Sequence, residues 1–221
     1  TRIKICGLSQ QQDVLACRDA GADAVGFVFY KPSSRYVSPE QAATLVRSLG
    51  PWQTPVALFV NADPSEIERV VALIPNVLLQ FHGDETPQFC ESFQRPYLKA
   101  IRMQEGTDLI ALSHDYSSAS GLLVDSWSEG FGGSGHTFEW SMLPDLSKMA
   151  VPLILSGGLN SNNICQALSQ ISPYGVDVSS GVEARRGVKC VIKIKEFCQA
   201  VQTADFEQLA LNRVAPNKQD D

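Results

Sequence analysis

Short apolar, β-branched runs alternate with longer amphipathic stretches along nearly the whole chain, and the runs predict strands at 2–6, 24–29, 56–60, 77–81, 97–101, 121–124, 152–155 and 176–179. Between them stand helix-start signals: Ser9 before a Gln-rich segment, Ser38-Pro39-Glu40, Asp63-Pro64-Ser65-Glu66, Thr86-Pro87, and Ser161 before Asn162-Asn163. Strict alternation of strand and helix implies parallel strands joined by right-handed crossovers. Eight such units in 221 residues predict a single α/β domain closed into a (β/α)8 barrel. The competing architecture is an open doubly wound sheet. Its dinucleotide-binding form wants Gly-x-Gly-x-x-Gly after the first strand, and Cys6-Gly7-Leu8-Ser9 does not supply it. Past about Gln202 the periodicity weakens, so the barrel is expected over residues 1–202 and a C-terminal extension over 203–221. The last stretch, Asn217-Lys218-Gln219-Asp220-Asp221, reads as a frayed, solvated tail.

Composition narrows the partners. With 44% hydrophobic residues the chain can bury one substantial core. A net charge of −6 argues against nucleic acid or an anionic membrane surface, both of which need a basic face, while local anion sites remain possible. The six cysteines, Cys6, Cys17, Cys90, Cys165, Cys190 and Cys198, include no Cys-x-x-Cys pair and no His at zinc-finger spacing. Neither a metal site nor a disulfide framework is expected, and a reducing cytoplasm fits best. No apolar stretch approaches the roughly 20 residues that span a bilayer, so a soluble, unprocessed protein is expected. No exposed apolar stripe stands out, which slightly favours a monomer over a homodimer.

Active sites of such barrels are built at the C-terminal ends of the strands, so the residue after each apolar run is the one to inspect. Those residues are polar or glycine: Cys6, 30–35, Asn61, His82-Gly83-Asp84, Arg102, Asp125, Ser156-Gly157-Gly158 and Ser179-Ser180-Gly181. The last two clusters follow strands seven and eight. Their backbone N–H groups can cradle a phosphate, helped by a helix N-terminus near Ser161; tight turns are the plainer alternative. Asp125 stands before Gly132-Gly133-Ser134-Gly135, a loop able to shut out water and raise its pKa for proton donation. A local turn or cap is the plain reading of that Asp.

Cys6 taken alone reads as packing or as chemistry. Strands one and six face each other across a closed mouth, which suits a Cys6/Asp125 pair acting on opposite ends of one small substrate. Strand parity adds a structural expectation. If Cys6 and Ser179 point inward, so do Lys4 and Asp177, giving an ion pair beneath the site in which Lys4 favours the Cys6 thiolate. Arg35, in Ser33-Ser34-Arg35-Tyr36-Val37, and Arg102 are candidates for a carboxylate ligand. His82 is either a base or a loop-orienting residue, and His114 and His136 read as surface residues.

Together these segments resemble the phosphoribosylanthranilate isomerase family of tryptophan biosynthesis. The likeness rests on Lys4-Ile5-Cys6-Gly7, Gly26-Phe27-Val28-Phe29, Leu79-Gln80-Phe81-His82-Gly83-Asp84-Glu85 and Lys99-Ala100-Ile101-Arg102. It continues through Asp125 with Gly132-Gly133-Ser134-Gly135, Ser156-Gly157-Gly158-Leu159 and Val176-Asp177-Val178-Ser179-Ser180-Gly181-Val182-Glu183. The resemblance implies an Amadori rearrangement of N-(5-phosphoribosyl)anthranilate that needs no metal or organic cofactor. It implies Asp125 as general acid, Cys6 as general base, Arg35 on the anthranilate carboxylate, and Gly157, Gly158, Ser179, Ser180 and Gly181 on the phosphate of the phosphoribosyl substrate. One departure is Cys190 after Gly187-Val188-Lys189, where the family tends to place an Asp that caps the last helix. A histidine-pathway sugar-phosphate isomerase, a dual-substrate enzyme and a non-catalytic phosphate-binding barrel remain the competing functions.

Overall fold

The computed structural model describes residues 1–126 and 139–214. Eight parallel strands run in chain order: β1 (Arg2–Cys6), β2 (Ala24–Val28), β3 (Thr54–Phe59), β4 (Leu78–Phe81), β5 (Tyr97–Met103), β6 (Gly121–Ser126), β7 (Leu153–Leu155) and β8 (Gly175–Val178). Each pairs with the next, and β8 returns to β1 with Lys4 opposite Asp177, so the sheet is a closed barrel. Among the described residues, seven α-helices cover it: α1 (Gln11–Asp19), α2 (Pro39–Val46), α3 (Pro64–Leu73), α4 (Pro87–Glu91), α5 (Leu109–Asp115), α6 (Ile164–Gln170) and α7 (Val191–Val214). The alternation is broken once. Between β6 and β7 the described residues form two 3-10 turns, Trp140–Met142 and Leu146–Lys148, because Pro144 between them cannot continue a helical hydrogen-bond ladder.

The start signals act through their side chains where those reach the first turn. Ser38 Oγ accepts from Gln41 N at 3.1 Å and Thr86 Oγ1 from Phe89 N at 3.3 Å, each cap contributing about 1 kcal/mol. Two starts fall later than expected. α1 begins after Gln10, and Ser9 instead accepts from Gln41 Nε2 through its carbonyl. α6 begins at Ile164, because Asn160 and Asn163 form a turn of their own in which Asn163 Oδ1 accepts from Asn160 N at 2.8 Å. α7 begins at Val191 with Ile194 N donating to Cys190 O, so its start survives without the family's Asp.

Period-two alternation sorts every strand into two sets. Ile3, Ile5, Phe27, Phe59, Phe81, Val124 and Val176 point outward into the layer that the helices cover. Each large side chain fully buried there contributes about 1.5–3 kcal/mol, so this layer carries most of the apolar stabilisation. The inward set fills the lumen in two tiers. Leu98, Ala100, Leu123 and Ile154 close the lower lumen, while Cys6, Val28, Leu58 and Val60 line the upper part, where a cavity opens.

Candidate active site

The inward register that makes Lys4 and Cys6 neighbours in β1 also brings His82, Asp125 and Asp177 to one cavity at the C-terminal ends of the strands. Of the residues singled out in the sequence, Cys6, Arg35, His82, Asp125, Gly157, Gly158, Ser179 and Ser180 all line it. Val28, Tyr30, Leu58 and Val60 give it an apolar wall beside Cys6. Two candidates stand outside that lining. Arg102 is directed to the rim, where its Nη2 donates to Asp84 Oδ1 at 2.8 Å. Gly181 acts behind the site, since a side chain there would collide with the carbonyl oxygen of Leu159; it is where the loops after β7 and β8 pack together.

Lys4 Nζ donates to Asp177 Oδ1 at 2.8 Å, and both side chains are 6% exposed. The expected ion pair is therefore present inside the lumen. Burial lowers the Lys4 pKa, but the adjacent Asp177 and Cys6 outweigh it and leave the ammonium above its ordinary value. Lys4 does favour the Cys6 thiolate, as expected, but it does not set the net direction. Burial pushes the thiol up, and although Lys4 and Lys189 pull it down, the net direction is upward. Desolvating a thiolate costs more here than two nearby ammonium groups return, partly because Asp177 repels it. The loop above is tied to the end of β1, with Ser179 Oγ donating to Cys6 O at 3.0 Å and Lys189 Nζ to Ser179 O at 2.8 Å.

Asp125 is 6% exposed, and its Oδ1 accepts from Ser126 N at 2.8 Å. Its Oδ2 lies 3.3 Å from His82 Nε2. The glycine-rich segment at 132–135, expected to cover Asp125, lies outside the described residues, as does His136. His82 is held by a buried scaffold that sequence reading missed. Glu85 accepts from Asn61 N, Gly83 N and Lys99 Nζ at 2.8–2.9 Å, and Lys99 also donates to Gly83 O. Asn61 adopts φ 47°, a left-handed conformation in which its side chain accepts from Asp84 N. The available signal was Lys99, a charge inside an apolar strand that had to find a buried partner.

Arg35 makes a bidentate pair, but with the protein itself: Nε donates to Glu183 Oε1 at 2.7 Å and Nη2 to Oε2 at 3.1 Å. Lys189 Nζ shares Glu183 Oε1 at 3.0 Å. Burial pushes the Glu183 carboxyl up, yet the two cations prevail and hold it below its ordinary value. Lys189 is moved down by its own burial, which Glu183 only partly offsets. The fork expected to meet a ligand carboxylate is thus fixed from one side. Nη1 takes no part in the fork.

The loops after β7 and β8 leave the barrel ladder at Leu155 and Val178. Gly157 and Gly158 have φ 86° and 64°, and a Cβ on Gly157 would stand 2.5 Å from Ser126 N, so the chain turns there only with glycine. Because α6 starts at Ile164 rather than near Ser161, the donors such a site offers an anion are the N–H groups of the loop after β7 and of the 3-10 turn Ser180–Val182 after β8. Among the described residues, no three His, Cys, Asp or Glu side chains gather as a metal site, and no helix is long and apolar enough to cross a membrane.

A closed barrel of eight parallel strands, with one cavity at the strands' C-terminal ends lined by a thiol, a carboxyl and the glycine/serine loops after β7 and β8, defines a (β/α)8 barrel with its site at the usual face. The model of the N-(5'-phosphoribosyl)anthranilate isomerase family matches residues 3–200, and the chain belongs to that family. It is 51% identical over 205 residues to the N-(5'-phosphoribosyl)anthranilate isomerase of Methylibium petroleiphilum, covering 93% of this chain and 95% of the relative. The Leptothrix cholodnii enzyme of that name is also 51% identical, covering 95% and 94% of the two chains. Among solved structures, the phosphoribosyl anthranilate isomerase of Thermotoga maritima superimposes with a TM-score of 0.84 at 38% identity, covering 92% and 99%. Another, a complex with reduced 1-(o-carboxyphenylamino)-1-deoxyribulose 5-phosphate, gives a TM-score of 0.81 at 35% identity with the same coverage.

Proposed function

We propose that this cavity carries out the family's isomerisation with Cys6 and Asp125 as its proton-transfer groups and N-(5'-phosphoribosyl)anthranilate as substrate. The phosphate sits on the backbone of Gly157, Gly158 and Ser180, with Ser179 and Gly181 shaping the second loop. The anthranilate ring lies on the Val28, Leu58 and Val60 wall, its carboxylate meeting Arg35. Asp125 protonates the ribose ring oxygen as the bond from that oxygen to C1 breaks, leaving a protonated imine. Cys6 then takes the proton from C2, and that bonding pair neutralises the imine to an enolamine. Ketonisation moves a proton to C1 and leaves the carbonyl at C2, giving 1-(2-carboxyphenylamino)-1-deoxyribulose 5-phosphate. The place of this step is tryptophan biosynthesis. His82 stands by Asp125, and Arg102 serves at the rim through Asp84.

The observation that carries the reading is the convergence of a buried thiol and a buried carboxyl from β1 and β6 on a single cavity with two glycine/serine loops. Six unpaired cysteines support a reducing cytoplasm. One copy of the chain contains every side chain the reading uses, which favours a monomer as the working unit. The family match ending at residue 200 favours a catalytic barrel of 1–202 followed by an extension. The substrate's anthranilate fluorescence provides the test. Catalytic amounts of protein should remove it at a rate proportional to protein concentration; fluorescence that persists at the uncatalysed rate would overturn the reading.

A further inference from the structure

Gln80 is a fully buried polar side chain that the proposed chemistry leaves unused. It precedes His82 by two residues along β4, so both side chains leave the same face of the strand, and Gln80 sits in the lumen beneath the cavity-lining imidazole. Its Nε2 lies 3.1 Å from His82 Nδ1, while its Oε1 has no hydrogen-bond partner. At the far side of the ring, His82 Nε2 is 3.3 Å from Asp125 Oδ2, yet its direction misses hydrogen-bond alignment, and it too is buried without a partner.

An amide NH2 group can only donate, so the imidazole nitrogen facing it must accept. The ring proton is then on Nε2, the nitrogen that faces Asp125. We propose that Gln80 is a positioning residue that fixes His82 as the Nε2–H tautomer, so that the ring presents a donor to Asp125 as that carboxyl releases its proton. This rests on the assignment of Asp125 as the general acid. Before transfer, the neutral carboxyl has little need of a second donor. Afterwards its carboxylate is buried, with Ser126 N–H on Oδ1, and the His82 Nε2–H, already 3.3 Å from Oδ2, is the donor at hand for the other oxygen. An interaction that strengthens as charge develops accelerates the step. The opposite tautomer would set a lone pair against the new charge.

The amide's orientation decides the tautomer, and nuclear magnetic resonance reads it directly. In protein carrying 15N-histidine, long-range 1H–15N correlations of the three histidines, His82 being identified by its loss in His82→Asn, should show neutral His82 protonated on Nε2. A native Nδ1–H tautomer overturns the proposal, and this measurement needs neither turnover nor a Gln80 variant. Gln80→Glu, at a pH where the new carboxyl is ionised, offers only acceptors below the ring, so His82 should become protonated on Nδ1 and kcat should fall about 10-fold or more, with KM changed less than about 2-fold because Gln80 lies outside the cavity. In Gln80→Met, both tautomers should appear. Unaltered tautomer signals or an unaltered kcat in Gln80→Glu also overturn the proposal. If Asp125→Asn retains full turnover while native His82 is the Nε2–H form, the acid assignment fails and the tautomer assignment stands.

Discussion

Cys6 shows how much a residue's chemistry depends on its second layer of neighbours. The thiol was placed by sequence, and so was the Lys4–Asp177 pair beneath it, since both follow from counting by two along β1 and β8. The direction of its pKa was not legible, because it is a balance between burial and charge that only packing sets. With the thiol above its ordinary value, only a small thiolate fraction is present at neutral pH and it grows as pH rises, so kcat/KM rises with pH wherever Asp125 stays protonated. The double substitution Lys4→Met with Asp177→Asn removes the pair without stranding a buried charge, a loss that would otherwise cost about 3–5 kcal/mol. Lys4 lowers the Cys6 pKa by more than Asp177 raises it. The acid-side limb should therefore move further up in pH, lowering kcat/KM on that side several-fold, in a pH–rate series. A limb that stays or moves down contradicts this account of Cys6.

At the scale of elements, the eight strands were legible because each is a short apolar run ending in a polar residue or glycine at the same depth. The helix boundaries were less so. Asn160 and Asn163 delay α6 with side-chain bonds that no periodicity reveals, and Pro144 breaks the segment before β7 into two turns. The same limit applies to the loops. Arg35 was expected to wait for a ligand carboxylate, but its fork is engaged by Glu183, 148 residues away in the chain. Only the closure that brings the loop after β2 against the loop after β8 could show that pairing. Gly181 tests how tightly such loops depend on one another. Replacing it with Ala forces the β8 loop away from Leu159, which should destabilise the fold by about 1–3 kcal/mol in denaturant unfolding. KM should rise more than kcat falls, since the proposed phosphate cradle is displaced while Cys6 and Asp125 are not. Unchanged stability and KM would show that the two loops do not act as one site.

For the whole molecule, the decisive feature is barrel closure. β8 pairing with β1 makes neighbours of residues 173 apart in sequence, Lys4 with Asp177 and Cys6 with Ser179, and sets β1 across the mouth from β6. Alternating pattern and length made that closure readable from sequence, and with it the positions of Asp125, Cys6 and the two glycine/serine loops. The scaffolds behind them, Lys99–Glu85 under His82 and Lys189–Glu183 beside Arg35, were not readable, because buried ion pairs across a fold carry no local periodicity. The central claim is that two groups on opposite strands divide one proton-transfer reaction, the first needed protonated and the second ionised. It is tested most directly by the pH dependence of kcat/KM for the native protein, Cys6→Ala and Asp125→Asn. The native profile should be bell-shaped. Cys6→Ala should lose the acid-side limb and Asp125→Asn the basic one, each with turnover reduced by about 10²–10⁴-fold. Near-normal turnover with both limbs intact in either variant would contradict the assignment of that residue, and in both variants the account as a whole.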